Sequence, residues 1–443
     1  YVPGRTIVAM AGDLDPDEAL DMARECFGGW PAAAAAEDRS PEEPPLRAVR
    51  TRTLRGDVRR AELAIGWRGV PALHPDAAAL DMAAAVLGTG RASWLYRTLR
   101  EPGIVTSVGA FHYSPTEVGV FSIAADLMPA QLDAALEGAA DCITRLRIGG
   151  PGEADLARVR RLLRARWARR LESVEGKAGA LAWAEALGGV HLLDQEYDRL
   201  LAVTPEEVRC AAAEWLAPDA VRAVAYLPDD AAGELDANRL GRVFAKTAWT
   251  LTSPPEPPDV VLPRVSAASG ITTTGVLHVA LAGADLLIGR KPGVPLVSLG
   301  IYRRRSVPEV WKTAGLGALS VRSAVRGAGE FDAGGLALAF ERLGGGLSPQ
   351  VAAEWFGLGT SVLSEHAAEA AVLLNLVLHA PRFTPDEVTR ERITLADQAA
   401  QAADDMVRHP MQLALQVRFG NAGYGLPASG LPETIPTLTE GMV

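Results

Sequence analysis

Apolar residues recur along the chain with two periods, and the places where one gives way to the other outline its elements. Residues 6–11, Thr-Ile-Val-Ala-Met-Ala, form a short apolar run that predicts a strand. After the turn Gly12-Asp-Leu-Asp15, the stretch Asp15-Pro-Asp-Glu18 supplies an N-cap, a proline at the first helical position and acids in the first turn. A helix is expected there, carrying Ala19, Leu20, Met22, Ala23 and Phe27 and stopping at Gly28-Gly29. Residues 60–67 partly alternate like a half-buried strand, 74–87 and 92–99 read as helices, and 105–112 and 119–125 read as strands. Two long helices follow, over 129–146 and from Gly152 to Arg170, parted by Gly149-Gly-Pro-Gly152. Thr204-Pro-Glu-Glu207 is a capping box that opens a helix reaching Trp215, and a strand is expected over 221–227.

The Ala, Glu and Pro-rich stretch 31–47 and the run Ser253-Pro-Pro-Glu-Pro-Pro258 read as linkers. A second unit begins near Ser266 and closes in helices, one opened by Thr384-Pro-Asp-Glu387. Residues 132–161 and 367–393 share a layout of helix, break and acid-capped helix, which suggests a duplicated unit. Inside the second unit, Gly315-Leu-Gly-Ala-Leu-Ser-Val-Arg-Ser-Ala-Val-Arg-Gly327 predicts a short helix bracketed by glycines, with Ala318, Val321 and Arg322 on one face.

Composition narrows the function classes. A chain of 443 residues holds about three domains, and 48% hydrophobic with 22% charged residues supplies ample core. A formal net charge of -10 argues against nucleic acid or an anionic membrane as the main partner. No apolar run reaches membrane-spanning length, since 276–288 and 367–378 are broken by His278, Asp285 and Glu369. Cys26, Cys142 and Cys210 are scattered and indicate neither a disulfide framework nor a zinc cluster. No two of the seven histidines stand at i and i+4. The arginine-rich run 158–170 has an apolar stripe and acidic flanks, so a solvated helix face is expected. Gly88-Thr-Gly-Arg-Ala-Ser93 lacks the lysine and third glycine of a phosphate loop.

Several stretches together resemble the insulinase (pitrilysin-like, M16) metallopeptidase family. They are Tyr1-Val-Pro with Ala11-Gly-Asp13 and Phe27-Gly-Gly-Trp-Pro31; Gly88-Thr-Gly-Arg-Ala-Ser-Trp-Leu-Tyr-Arg-Thr-Leu-Arg-Glu101; Ala314-Gly-Leu316; Leu343-Gly-Gly345; Pro381-Arg-Phe383 with Arg390-Glu-Arg392; and Gly423-Tyr-Gly425 with Pro427 and Gly430. The resemblance implies an α+β fold of repeated domains, each an antiparallel sheet with helices packed on it. It also implies a zinc site in active copies, His-x-x-Glu-His plus a distant Glu, where two imidazoles and a carboxylate hold the metal and the remaining Glu takes a proton from bound water.

Laid on that pattern, Ala318 and Arg322 fall at the two histidines, Val321 at the base and Gln398 at the third ligand. The resemblance therefore implies a degenerate site, with no catalytic or metal-binding residue in this chain and zinc only in a first domain upstream. From its position in that pattern, Arg322 is expected either to pair with Glu391, a retained acid on the later helix, or to face solvent. Arg100 stands where family members carry a peptide-binding arginine, but Thr106 replaces the accompanying tyrosine, and Arg100 is given no role.

The resulting division is an internal fragment. Residues 1–31 would end a truncated first domain, 32–50 link it, 51–228 form a second domain, 229–265 link again, and 266–443 form a non-catalytic third domain truncated at its C-terminal end. The function implied is the scaffold and chamber wall of a two-half zinc endopeptidase acting on peptide or unfolded protein, completed by the missing first and fourth domains or a homologous subunit. The alternative is an inactive pseudo-peptidase serving as a binding or structural subunit. The compartment stays open, a bacterial periplasm being suggested only by family analogy.

Overall fold

The computed structural model describes residues 2–33, 41, 44, 48–254, 256–261, 275–402 and 405–443. Tyr1, most of the expected linker 32–50, and residue 266, where the third domain is expected to begin, lie outside the described residues.

The first large sheet takes β1 (Arg50–Gly56), β2 (Ala61–Gly69), β3 (Ser107–Tyr113), β4 (Gly119–Leu127) and β5 (Arg222–Pro228) in the spatial order β1-β5-β2-β4-β3. Only β1 and β5 run parallel; the other pairs are antiparallel. The alternation read from residues 60–67 is real, since Ala61, Leu63, Ile65 and Trp67 are buried and their neighbours face outward. That face is covered by α2 (Ala77–Gly88), α3 (Leu132–Ile148), α4 (Glu153–Arg170), α7 (Pro205–Trp215) and α8 (Ala237–Phe244), whose apolar residues join one core. The small residues of α2 let it lie against the sheet so closely that a Cβ on Gly88 would sit 2.3 Å from the Ala110 nitrogen. Trp67 anchors this core: it packs edge-on against Phe244 at 5.5 Å and donates its indole N–H to the Ala217 carbonyl at 3.0 Å.

The second unit contains the hairpin β6 (Val276–Leu281) and β7 (Ala284–Gly289), then β8 (Leu296–Arg304), α9 (Leu316–Ala324), α10 (Ala333–Glu341), β9 (Ser348–Val351) and β10 (Trp355–Leu363). Helices α11 (Ala367–His379), α12 (Pro385–Ala402) and α13 (Arg408–Phe419) complete it. Its sheet is antiparallel in the order β8-β10-β9. The fold is therefore α+β with repeated helix-on-sheet layers, as expected.

Four expectations are corrected. Residues 6–11 form no strand, because no described segment pairs with them and a strand exists only by pairing. The helix after Asp15, α1 (Pro16–Phe27), forms with the expected cap but buries only Ala19. Residues 92–99 wind not as a simple α-helix but with a π-helical turn over Tyr96–Arg100. Helices α5 (Val174–Leu187) and α6 (His191–Ala202) were not anticipated; α5 buries only Ala180 and Ala184, too small to leave a periodic signature.

The capping box at Thr204 is intact: the Thr204 N–H donates to Glu207 Oε2 at 2.8 Å, and the Glu207 N–H donates to Thr204 Oγ1 at 3.3 Å. Arg199 first, and the Thr204 backbone second, hold the Glu207 carboxyl down at about 2. A depressed carboxyl stabilises the fold above its unfolded value of 4.5, and that contribution is lost as pH falls through about 2. A pH titration followed by carboxyl NMR should place the Glu207 midpoint near 2, and Thr204→Ala should move it upward. In urea denaturation, Trp67→Ala should cost about 3–5 kcal/mol; a loss under about 1 kcal/mol would deny Trp67 its anchoring role.

Candidate functional site

Helix α9 starts at a position only glycine fills. Gly315 has φ 95°, and a Cβ there would lie 3.0 Å from the Gly430 Cα and 3.1 Å from Ile435. The free N–H groups of its first turn are met by one carboxylate: Glu309 accepts from Gly315 at 2.9 Å and from Gly317 at 2.7 Å. A negative charge there also suits the positive end of the helix. Glu309 is itself held by Arg305 at 2.5 Å, and the side chains of both are largely buried.

With the helix so fixed, the one-face residues go to different places. Ala318 packs with Leu319, Val388, Leu395 and Ala399, while Val321 enters the core of Phe331, Leu336 and Phe340. Arg322 turns to α12, where its Nε donates to Glu391 Oε2 at 3.0 Å and its Nη1 donates to Gln398 Oε1 at 3.1 Å. The expected Arg322–Glu391 pair is present. The structure thus brings Arg322, Gln398 and Glu391 together and sends Ala318 and Val321 into apolar packing.

One turn on from Arg322 lies the residue that sequence reasoning missed. Arg326, its side chain only 4% exposed, donates to Glu387 at 2.6 Å and to Glu101 at 2.5 Å, with Glu391 at 3.7 Å and the Tyr96 hydroxyl at 3.4 Å. Burial works against its charge, but Glu101, Tyr96 and Glu387 outweigh burial and hold its pKa above the ordinary arginine value. Arg390 adds a contact to Glu387 at 2.8 Å. The signal was in the sequence: Arg322 and Arg326 stand at i, i+4, one in the last turn of α9 and the other just past its end, and Glu387 and Glu391 stand at i, i+4 on α12.

Glu101 and Tyr96 belong to the segment following α2, so this network joins the two units. A second buried pair does the same. Arg158, 1% exposed, donates to Glu341 at 2.7 Å and to the Thr89 carbonyl at 2.8 Å, and Glu341 accepts the Ala92 N–H at 3.1 Å. The glycine loop that lacks phosphate-loop chemistry therefore receives an anion after all, the carboxylate of Glu341. Gly90, at φ 85°, admits it; a Cβ would sit 2.4 Å from that carboxylate. The arginine run 158–170 is corrected accordingly. Arg164 reaches Glu365 at 3.1 Å and Arg169 the Ser361 carbonyl at 2.8 Å, so much of this face docks onto the second unit. Arg100 likewise meets Thr394 at 3.1 Å, a contact between the units.

These side chains cannot perform metal chemistry. Alanine and valine offer no lone pair, and a guanidinium offers donors only and repels a cation. Among the described residues there is no group of three or more His, Cys, Asp or Glu side chains placed to hold a metal ion. His112, the buried histidine of the first unit, is held between Asp81 at 2.8 Å and the Val70 N–H at 3.4 Å. The zinc implied by the resemblance does not fit the residues at this position.

Comparison with known proteins gives likenesses of three kinds. Residues 1–163 match the family model described as the peptidase M16 inactive domain. The uncharacterized zinc protease YmxG of Bacillus subtilis is 25% identical over 221 residues, covering 49% of this chain and 53% of that protein. An uncharacterized zinc protease of Streptomyces coelicolor is 24% identical over 223 residues, covering 49% of each. The chain spans about half the length of the curated relatives it matches. Among solved structures, a peptidase M16 inactive domain from Pseudomonas fluorescens is 22% identical, with a TM-score of 0.44 over 50% of this chain and 53% of that one.

Removing the Arg326 guanidinium leaves Glu101 and Glu387 with only the half-exposed Arg390 as a counter-ion. Arg326→Ala should therefore destabilise the protein by about 3–5 kcal/mol in chemical denaturation. The double variant with Glu387→Gln should recover part of that loss. Additive losses in the cycle would mean that the pair is not coupled.

Proposed function

We propose that this chain, whose residues 1–163 match the peptidase M16 inactive domain, is a supporting, non-catalytic part of a two-half zinc endopeptidase, forming scaffold and chamber wall for a peptide or unfolded protein substrate. The zinc and its general base sit on a separate active domain of the intact protein, upstream of these residues. The observation that carries this reading is the arginine–carboxylate network between α9 and α12. It holds together the two helices that a metal site would bridge, and leaves no group able to activate water.

A metal ion bound by side chains of two helices fixes their spacing. Arg322, bonded to Glu391 and Gln398, supplies the same cross-link with a charge that never dissociates. Arg326 extends it to Glu101 of the first unit, so the wall is a rigid joint and not a reaction centre.

The test is elemental analysis and peptide hydrolysis on this chain alone and on the chain joined to the region encoded upstream of Tyr1. The expected result is less than about 0.1 equivalent of tightly held zinc and no hydrolysis for the chain alone, with one zinc and cleavage for the longer protein. One equivalent of zinc on the chain alone would overturn the reading. An upstream region whose own His-x-x-Glu-His is degenerate would replace it with a pseudo-peptidase acting as a binding or structural subunit.

A further inference from the structure

Helices α5 and α6 are thinly packed on the first unit. Together they bury Ala180, Ala184 and Leu200, whereas the adjoining α2 buries ten of its twelve residues. Between α2 and this helix pair lies a cavity of about 490 Å³, a volume typical of small-molecule sites. Its walls are apolar, with Leu73 and Ala78 on the α2 side and Trp183, Leu187, Leu192 and Leu200 on the other. Leu73 and Trp183 are exposed, so apolar surface reaches the mouth.

Two carboxylates line this apolar space, Asp81 of α2 and Glu196 of α6, and neither is bonded to a cation. Asp81 Oδ1 stands 2.8 Å from His112 Nδ1. His112 Nε2 accepts the Val70 N–H at 3.4 Å, so the ring donates to Asp81 from Nδ1 and brings no charge of its own. Glu196 lacks even that support: its Oε2 is shut off from water and has no hydrogen-bond partner. The guanidiniums around it are engaged elsewhere. Arg199 donates to Glu207 at 2.8 Å, and Arg170 lies over the rings of Trp167 and Trp183 at 5.5 and 5.8 Å. Burial raises the Glu196 carboxyl above its ordinary value; Arg170 opposes the shift and Asp81 adds to it. A carboxylate held this way costs free energy until a donor of opposite charge reaches it.

We propose that the cavity between α2 and the α5–α6 pair binds a small organic cation, a primary ammonium on an aliphatic or aromatic body, with Glu196 as its counter-charge. An ammonium carries three N–H donors, enough for the orphaned Glu196 oxygen and for Asp81 together, whereas a quaternary amine has none to give. Away from water these charge-assisted bonds are the strong kind. The apolar body lies on Trp183 and the leucines of α5 and α6, and the filled cavity seats the two helices on α2. The site uses residues of the first unit only and is independent of the network between α9 and α12.

The experiment is calorimetric titration of this chain with phenethylamine and with its neutral counterpart phenethyl alcohol, followed by hydrogen exchange on the same samples. The amine should bind on the order of 10-fold more tightly than the alcohol, and Glu196→Gln, which keeps the size of the side chain, should abolish that difference. Bound amine should slow exchange of the α5 and α6 amides on the order of 10-fold. A blocked tripeptide with a central lysine separates the two sources of such a cation. Binding of the peptide as tightly as the amine supports the site with a lysyl side chain as occupant; binding of the amine alone supports it with a free amine. Equal affinities for amine and alcohol in the unaltered chain would overturn the proposal, whatever the variant does. So would the absence of binding at about 10 mM amine, an unchanged preference in a folded Glu196→Gln, or protection confined to other helices.

Discussion

A single buried guanidinium sets the relation between the two halves of this structure. Arg326 sits almost fully out of water, where an unpaired charge would cost several kcal/mol. It is tolerated only because carboxylates reach it from both units, Glu101 from one and Glu387 and Glu391 from the other. Neither unit can satisfy this group alone. The same holds for Arg158, whose carboxylate partner Glu341 is presented by the opposite unit to a loop of backbone N–H groups. Separation of the units would expose or orphan both charges at once, which makes the joint between them stiff.

The rest of the site follows from that joint. The α9 helix has to begin at Gly315 and lie flat against the 430s, so that Arg322 and Arg326 emerge toward α12. The Glu309 carboxylate, bonded to the first-turn N–H groups, keeps that entry fixed. Ala318 and Val321 then pack into apolar cores, and Arg322 ties α9 to α12 through Glu391 and Gln398. This cross-link between the two helices is charge-assisted hydrogen bonding.

Much of this was legible in the residues. The alternation around Trp67, the capping box at Thr204, the proline-opened helices and the glycine-bracketed helix at 315–327 are local patterns with local causes, and each formed where the pattern put it. The Arg322–Glu391 pair was legible as one of two alternatives, from the places of the two residues in the family pattern. Helix α5 and the outward-facing α1 were not legible in the same way. One buries too little side chain to leave a period, and the other has an apolar pattern with only Ala19 buried.

The sequence by itself determined the α+β class, the helix caps and most of the strands and helices, since these depend on residue chemistry and on spacings of a few positions. Only the tertiary structure decided that the arginine run 158–170 docks instead of facing water, that Gly90 exists to admit a carboxylate, and that Arg326 is the cation at the joint. Each of those depends on a partner about 180 to 290 residues distant or supplied by three separate segments. Periodicity reports which face of a helix is polar; it carries no information about which charge, from which distant segment, will meet it.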